Sequence, residues 1–373
     1  MEPLGDLALK YNVILIDDDD VTINHTMNIF KRLPDFTLVS SYREVKSAIG
    51  QSSVFDPNLF LIDVDSLENR NVLPVFADIF PNAIVLGIIS KWDADKAFES
   101  IRGGAIGCVL KPFSGEDLID AIKIFSRGIR NTKPRSCSFF SAKGRSGKTT
   151  LISNLALSIV QQTGDLVAII DADLQFSDMA IFFDVEPVTT IVEATRDINF
   201  LSPIRLNPYF LPVAENIQIL CGPRRLEYSE LVDVESLMSV VRMAQTLFHY
   251  VLIDLPSGLS PFATNMCEVA DTVFICGMLN TNFEVNHIKR TLPLFEMWER
   301  YGKTLNIVFS RADEKQKPEI EKQIGHKIAA VLPNEFLMVS AANSGNIKNV
   351  MNQNNLLAAK INELARKIIN DAH

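Results

Sequence analysis

Ten residues, SAKGRSGKTT from Ser141 to Thr150, place small residues, cations and hydroxyls at a spacing suited to a polyphosphate. Gly144 and Gly147 allow close backbone approach. Successive N–H groups from Gly144, Arg145, Ser146 and Gly147 through to Thr150 can surround phosphate oxygens. Lys148 is then placed for the β/γ-phosphates of a nucleotide, and the Thr149 hydroxyl for Mg2+. The strict form of such a loop carries a glycine five residues before Gly147, where this chain has Ala142.

A second set lies nearer the amino terminus, each member just after a short apolar run. VILI (13–16) ends in Asp17 and Asp18, LFLI (59–62) in Asp63, AIVLGII (83–89) in Ser90, and GCVL (107–110) in Lys111. Two acids and a third on a neighbouring strand can hold Mg2+ while an Asp63 oxygen attacks a phosphoryl donor. Ser90 and Lys111 then stabilise the added charge.

The elements that must position these groups follow from the apolar pattern. With FTLV (36–39), the first region has five buried strands separated by helical stretches, which implies a doubly wound parallel sheet with functional side chains at the carboxyl ends of its strands. IRNTKPRS (129–136) has linker composition and divides the chain into residues 1–130 and 131–373. The second region opens with strand CSFF, the glycine-containing loop, and TTLISNLALSIVQQ, whose apolar residues at 151, 152, 155, 159 and 160 follow helical spacing. VAIIDAD and HYVLIDLPSG are further buried strands, ending in Asp171 with Asp173 and in Asp254. The fold class expected is α/β, with two doubly wound domains.

Composition narrows the function class. The net charge is −9, and residues 1–130 carry 13 Lys and Arg against 19 Asp and Glu. Nucleic-acid binding is therefore not expected, since it depends on clustered cations that neutralise phosphates. Five scattered cysteines without CxxC spacing and five histidines (25, 249, 287, 326 and 373) without ligand spacing read as ordinary core and surface residues. The start MEPLGDLALK has no basic and apolar leader pattern, and no apolar run approaches a membrane span. A cytoplasmic protein is expected, with membrane association peripheral or indirect at most.

ILIDD, LID and LKPF, in that order and spacing, resemble the receiver domain of two-component response regulators, a flavodoxin-like fold. The resemblance implies Asp63 as phosphoacceptor, with Asp17 and Asp18 at Mg2+. It also exposes two departures: VDS follows Asp63, and Cys108 stands where receivers carry a switch aromatic. A receiver fold retained for docking or self-association is the reading favoured. KGRSGKTT, IIDAD and VLIDLPSG together resemble the deviant Walker ATPases of the ParA/MinD group, which are P-loop NTPases. There Lys143 is the signature lysine, implied to reach the partner's nucleotide in an ATP-sandwiched homodimer. Asp173 is implied to orient the attacking water, Asp254 to hold Mg2+ through water, and Asp171 to support the loop. ADTVFIC, LNIVFSRAD and VLPNEF match later strands of the group, so Arg311 and Pro333 are the implied base contacts. Arg145 replaces the second glycine of the usual KGG, and a competent ATP site with slow or absent turnover is expected.

A receiver-like domain ahead of such an ATPase resembles the TadZ/CpaE family, which positions the Tad (Flp) pilus secretion machinery, often at a cell pole. Rival classes are a DNA-partition ATPase, a MinD-type membrane cycler, a nitrogenase-reductase-like enzyme and a phosphorylation-regulated ATPase. The nitrogenase-like class needs cluster cysteines, and Cys267 and Cys276 sit wrongly for that. The membrane class needs an anchor helix; LLAAKINELARKIIN has apolar residues at 357, 361, 364, 365 and 368, read here as packing against the domain.

Overall fold

The computed structural model describes residues 10–126, 134–279, 282–335 and 355–370. Nearly all of the starting segment, most of the 129–136 linker, Phe336 and His373 lie outside them. The chain divides near residue 131 into two compact units.

The first unit alternates β1 (Tyr11–Ile16), α1 (Asp20–Phe30), β2 (Phe36–Tyr42), α2 (Val45–Gln51), β3 (Leu59–Asp63), α3 (Leu67–Ile79), β4 (Ile84–Ile89), α4 (Ala94–Arg102), β5 (Gly107–Leu110) and α5 (Gly115–Phe125). All five strands are parallel, in the order β2-β1-β3-β4-β5. Every residue of central β3 is buried, as a strand covered by helices on both faces requires. Side-chain caps fix where helices begin: Asp19 accepts from the N–H groups of Val21 and Thr22, and Ser114 with Asp117 forms a reciprocal capping box at α5. These caps lie just past strand ends, so the polar turns and the functional rim coincide.

The second unit is built on eight strands: β6 (Arg135–Ser141), β7 (Val167–Asp171), β8 (Leu211–Ala214), β9 (Ile217–Leu220), β10 (Tyr250–Ser257), β11 (Thr272–Met278), β12 (Thr304–Ser310) and β13 (Ala330–Leu332). Their order is β13-β12-β11-β6-β10-β7-β9-β8, and only β8 is antiparallel. Among the described residues the helices that follow are α6 (Lys148–Thr163), α7 (Met179–Phe182), α8 (Ile191–Arg196), α9 (Pro203–Leu206), α10 (Val234–Leu247), α11 (Pro261–Val269), α12 (Asn282–Glu299), α13 (Lys317–Ile324) and α14 (Leu356–Asn370). The β8–β9 hairpin has no counterpart among the strands expected from the sequence. Its turn uses Asn216 at φ +57 rather than an Asn-Gly pair, and Pro212 sits on the edge strand, where a missing donor is tolerated.

Buried Phe139 and Phe274 stack at 4.7 Å between adjacent central strands. Helix α14 belongs to this core. Leu357, Ala358, Ile361, Leu364, Ala365 and Ile368 are buried with apolar residues of α6, and Ser158 Oγ donates to Asn362 Oδ1. The tail's apolar face is thereby spent inside the unit. Among the described residues no helix is long and apolar enough to cross a membrane.

Candidate functional site

β6 ends at Ser141 and the chain enters α6 through a loop whose last residue, Gly147, has φ +82. A Cβ at Gly147 would lie 3.0 Å from Ser310 Oγ, so conformation and space both select glycine. The first-turn N–H groups of α6 have no intrahelical acceptors and lie at the positive end of the helix dipole, an arrangement that favours an anion.

Lys148 is buried at the start of this helix. Its Nζ donates to Ser141 Oγ at 3.1 Å and Ser257 Oγ at 3.2 Å, and lies 4.0 Å from Asp254 Oδ1. Ser141 and Ser257 are partners in the β6–β10 register, which holds their hydroxyls 3.1 Å apart. Ser257 was not singled out in the sequence, because its value depends on which strand it faces.

Asp254 and Asp171 are likewise register partners, at the ends of β10 and β7. Thr149 Oγ1 donates to Asp254 Oδ2 at 2.9 Å; Ser177 Oγ and the Met179 N–H donate to Asp171 Oδ2 at 2.6 and 3.1 Å. Burial pushes the Asp171 carboxyl up to about 8, with the Asp254 charge adding to it. Burial also raises Asp254, to about 6, against the lowering effect of Lys148 and Thr149. Asp173 stands partly buried two residues past β7, raised chiefly by desolvation, and its Oδ1 accepts from the Phe176 N–H at 3.3 Å.

Among the described residues, three buried polar atoms at this site find no hydrogen-bond partner: Ser146 Oγ, Asp171 Oδ1 and Asp254 Oδ1. Unpartnered buried groups are costly. Two carboxylate oxygens beside a threonine hydroxyl fit the hard-oxygen shell that hydrated Mg2+ prefers, and a cation would relieve the burial that raises both acids.

A cleft alongside is lined by Arg145, Thr150, Ser310, Arg311 and Pro333, with Leu357 and Ile361 of α14. It brings together the loop and the two positions expected at a base. Arg145 and Arg311 adopt left-handed backbones, φ +64 and +53, which cost roughly 1–2 kcal/mol each for an L-residue. Lys143, Gly144 and Arg145 are exposed at the loop tip.

In the first unit, Lys111 Nζ bridges Asp17 Oδ2 at 2.9 Å and Asp63 Oδ1 at 2.8 Å. Burial works to lower the Lys111 pKa, but its hydrogen bonds to Asp63 and Asp17 win and raise it. Of the Mg2+ set expected from the sequence, Asp17 is buried and shares the Lys111 ammonium with Asp63, while Asp18 is exposed on the cleft that Asp63 also lines. Among the described residues no three acids, histidines or cysteines are grouped to hold a metal ion. Asp18, Asp63, Ser90 and Lys111 do line one cleft, with Asp19 and Asp65. Asp65 was visible in the sequence only as a departure, and Lys96, its partner from α4, gave no signal because nothing in the chain links positions 31 apart.

The CobQ/CobB/MinD/ParA nucleotide binding domain family matches residues 137–348. The septum site-determining protein MinD of Thermotoga maritima is 23% identical over 246 residues, covering 61% of this chain and 85% of that protein. The structure of MinD from Pyrococcus horikoshii complexed with Mg-ADP superposes with a TM-score of 0.54 at 19% identity, over 63% of this chain and 96% of that one, a likeness of fold. The transcriptional regulatory protein DegU of Brevibacillus brevis is 23% identical over 122 residues, 32% of this chain and 51% of that protein, a weak receiver-like similarity of the first unit. The family match takes in the loop, all the strands from β7 to β13 and most of β6, more than half of the chain, and by it this protein belongs to the CobQ/CobB/MinD/ParA nucleotide-binding family.

Proposed function

We propose that this protein binds ATP with Mg2+ in the second unit, dimerises on doing so, and uses that state to position the Tad (Flp) pilus secretion machinery, with slow or absent hydrolysis. The observation that carries the reading is the buried Lys148, held by Ser141 and Ser257 beside an Asp254 that Thr149 already engages. Phosphate oxygens replace the two serine hydroxyls as acceptors for Lys148 and take up the loop N–H groups from Gly144 to Thr150, with the Ser146 hydroxyl as a further donor. Thr149 ligates Mg2+ and Asp254 holds it through water. Asp173 orients the attacking water, and Lys143 reaches a partner's phosphates. Arg311 and Pro333 flank the base.

The pilus assignment rests on the order of units, a receiver-like one ahead of a ParA/MinD-type one. The burial of α14's apolar face disfavours a MinD-type anchor made from that helix. The charge balance disfavours DNA partition. The cytoplasmic side of the inner membrane, at or near a pole, is the proposed place of action.

Two measurements test this. Calorimetry with Mg-ATP should show binding that Lys148→Ala loses. Proximity labelling in the source cell should recover Tad secretion components; recovery of chromosomal DNA instead would move the assignment to partition.

A further inference from the structure

The first unit contains an anion where an added phosphoryl group would need room. Asp65 lies two residues past Asp63, and both its oxygens are engaged: Oδ2 accepts from the Ser90 backbone N–H at 2.7 Å, and Oδ1 from Lys96 Nζ at 2.8 Å. Asp65 is partly buried. Desolvation acts to raise its carboxyl, but the bonds to Lys96 and Ser90 hold it below the ordinary carboxylate range. Asp63, Asp65, Ser90 and Lys111 share one cleft, whose rim also carries Asp18 and Asp19.

We propose that Asp65 is a built-in counterpart of a phosphoryl group: its carboxylate occupies the Ser90 N–H and the Lys96 ammonium that phosphoryl oxygens on Asp63 would otherwise take, so the unit holds one state without phosphorylation. This rests on reading Asp63 as the group chemically able to accept phosphate. The single Lys111 ammonium is already divided between Asp17 and Asp63, so a phosphoryl group would enter a cleft lined by four aspartates, Asp18, Asp19, Asp63 and Asp65, with the Ser90 N–H and the Lys96 ammonium held by Asp65. Like charges in one cleft repel unless cations are free to offset them.

A separate observation agrees. Cys108, at the place of the switch aromatic, is buried in the core of this unit, and a Cβ on facing Gly87 would lie 2.8 Å from its sulfur. No large side chain is available there to move between two positions, so a fixed anion has no relay to drive.

The test is phosphoryl incorporation into the full-length chain from acetyl phosphate with Mg2+, read by intact mass and acid-stable against acid-labile label. In the reaction an Asp63 oxygen attacks phosphorus, the bond from phosphorus to the acetyl oxygen breaks, and acetate leaves with the electron pair. The wild type should incorporate little. Asp65→Ala should raise incorporation at least about tenfold, and Asp63→Asn in that background should abolish it. Asp65→Asn, which keeps the side-chain contour and the Ser90 contact, should give an intermediate gain and guards against a misfolded alanine variant. Wild type labelling as fast as Asp65→Ala overturns the inference while leaving Asp63 as an acceptor. No labelling of any of these variants, all folded by circular dichroism, overturns the acceptor reading and the inference with it.

Discussion

Thr149 Oγ1 and Asp254 Oδ2 are joined by a 2.9 Å hydrogen bond that ties the first turn of α6 to the end of β10, leaving Asp254 Oδ1 without a hydrogen-bond partner among the described residues. Thr149→Val removes the hydroxyl with little change of volume. Mg2+-dependent ATP affinity should fall roughly 10–100-fold, about 1.4–2.8 kcal/mol, while affinity measured in EDTA changes little. Equal losses with and without Mg2+ would remove Thr149 from the metal site.

Lys148→Ala should cost more. The buried ammonium serves both the phosphates and the neighbouring Asp254, and charge-assisted bonds of this kind are the strong ones. Calorimetric ATP affinity should drop at least about 100-fold, roughly 2.8 kcal/mol. Affinity unchanged in a folded variant contradicts the site assignment.

Lys143 is exposed at the loop tip, whereas Lys148 is buried beneath it. Lys143→Ala should therefore leave nucleotide binding by the monomer nearly intact and weaken ATP-dependent association. Light scattering at saturating ATP separates the two effects. A Lys143→Ala protein that still dimerises on ATP rules out the crossing lysine.

Arg145 holds a left-handed backbone on the cleft that Arg311 and Pro333 also line. Arg145→Gly removes that strain, offset by glycine's larger unfolded-state entropy, so stability should change by no more than about 1 kcal/mol. Steady-state phosphate release should rise, because a glycine lets two loops approach closely. A fall in turnover with the dimer intact would show that the guanidinium stabilises the γ-phosphate instead.

Asp171 gives a pH signature in the nucleotide-free protein. Its folded pKa of about 8 stands above the ordinary value of 3.8, so the folded chain holds the proton more tightly than the unfolded one. Its contribution to stability is fully present below about pH 4, declines as pH rises, and is lost above about pH 8. Asp171→Asn should flatten that decline and raise stability at pH 8 by on the order of 1–3 kcal/mol, since it removes a buried charge and keeps an acceptor for Ser177. Denaturant melts at pH 5 and pH 8 check this; a variant no more stable than wild type at pH 8 contradicts it.

Local chemistry made much of this protein legible in advance. Buried strands announce themselves as apolar runs ending in a functional residue, which is why the five strands of the first unit, and Asp171 and Asp254 in the second, could be placed from the chain alone. Helical spacing in the tail marked 357, 361, 364, 365 and 368, the face that α14 buries. The β8–β9 hairpin escaped because its turn lacks the usual residues and its strands are four residues each. Pairing across the sheets was equally invisible. Ser257 acquires its place from standing opposite Ser141, and Asp65 from reaching Ser90 and Lys96 across neighbouring elements. Sequence determines which residues sit at the carboxyl ends of strands, because burial and backbone hydrogen bonding act over a few residues. Which of those ends become neighbours is decided by strand order and register, set by packing over the whole sheet, and only the tertiary structure supplies it.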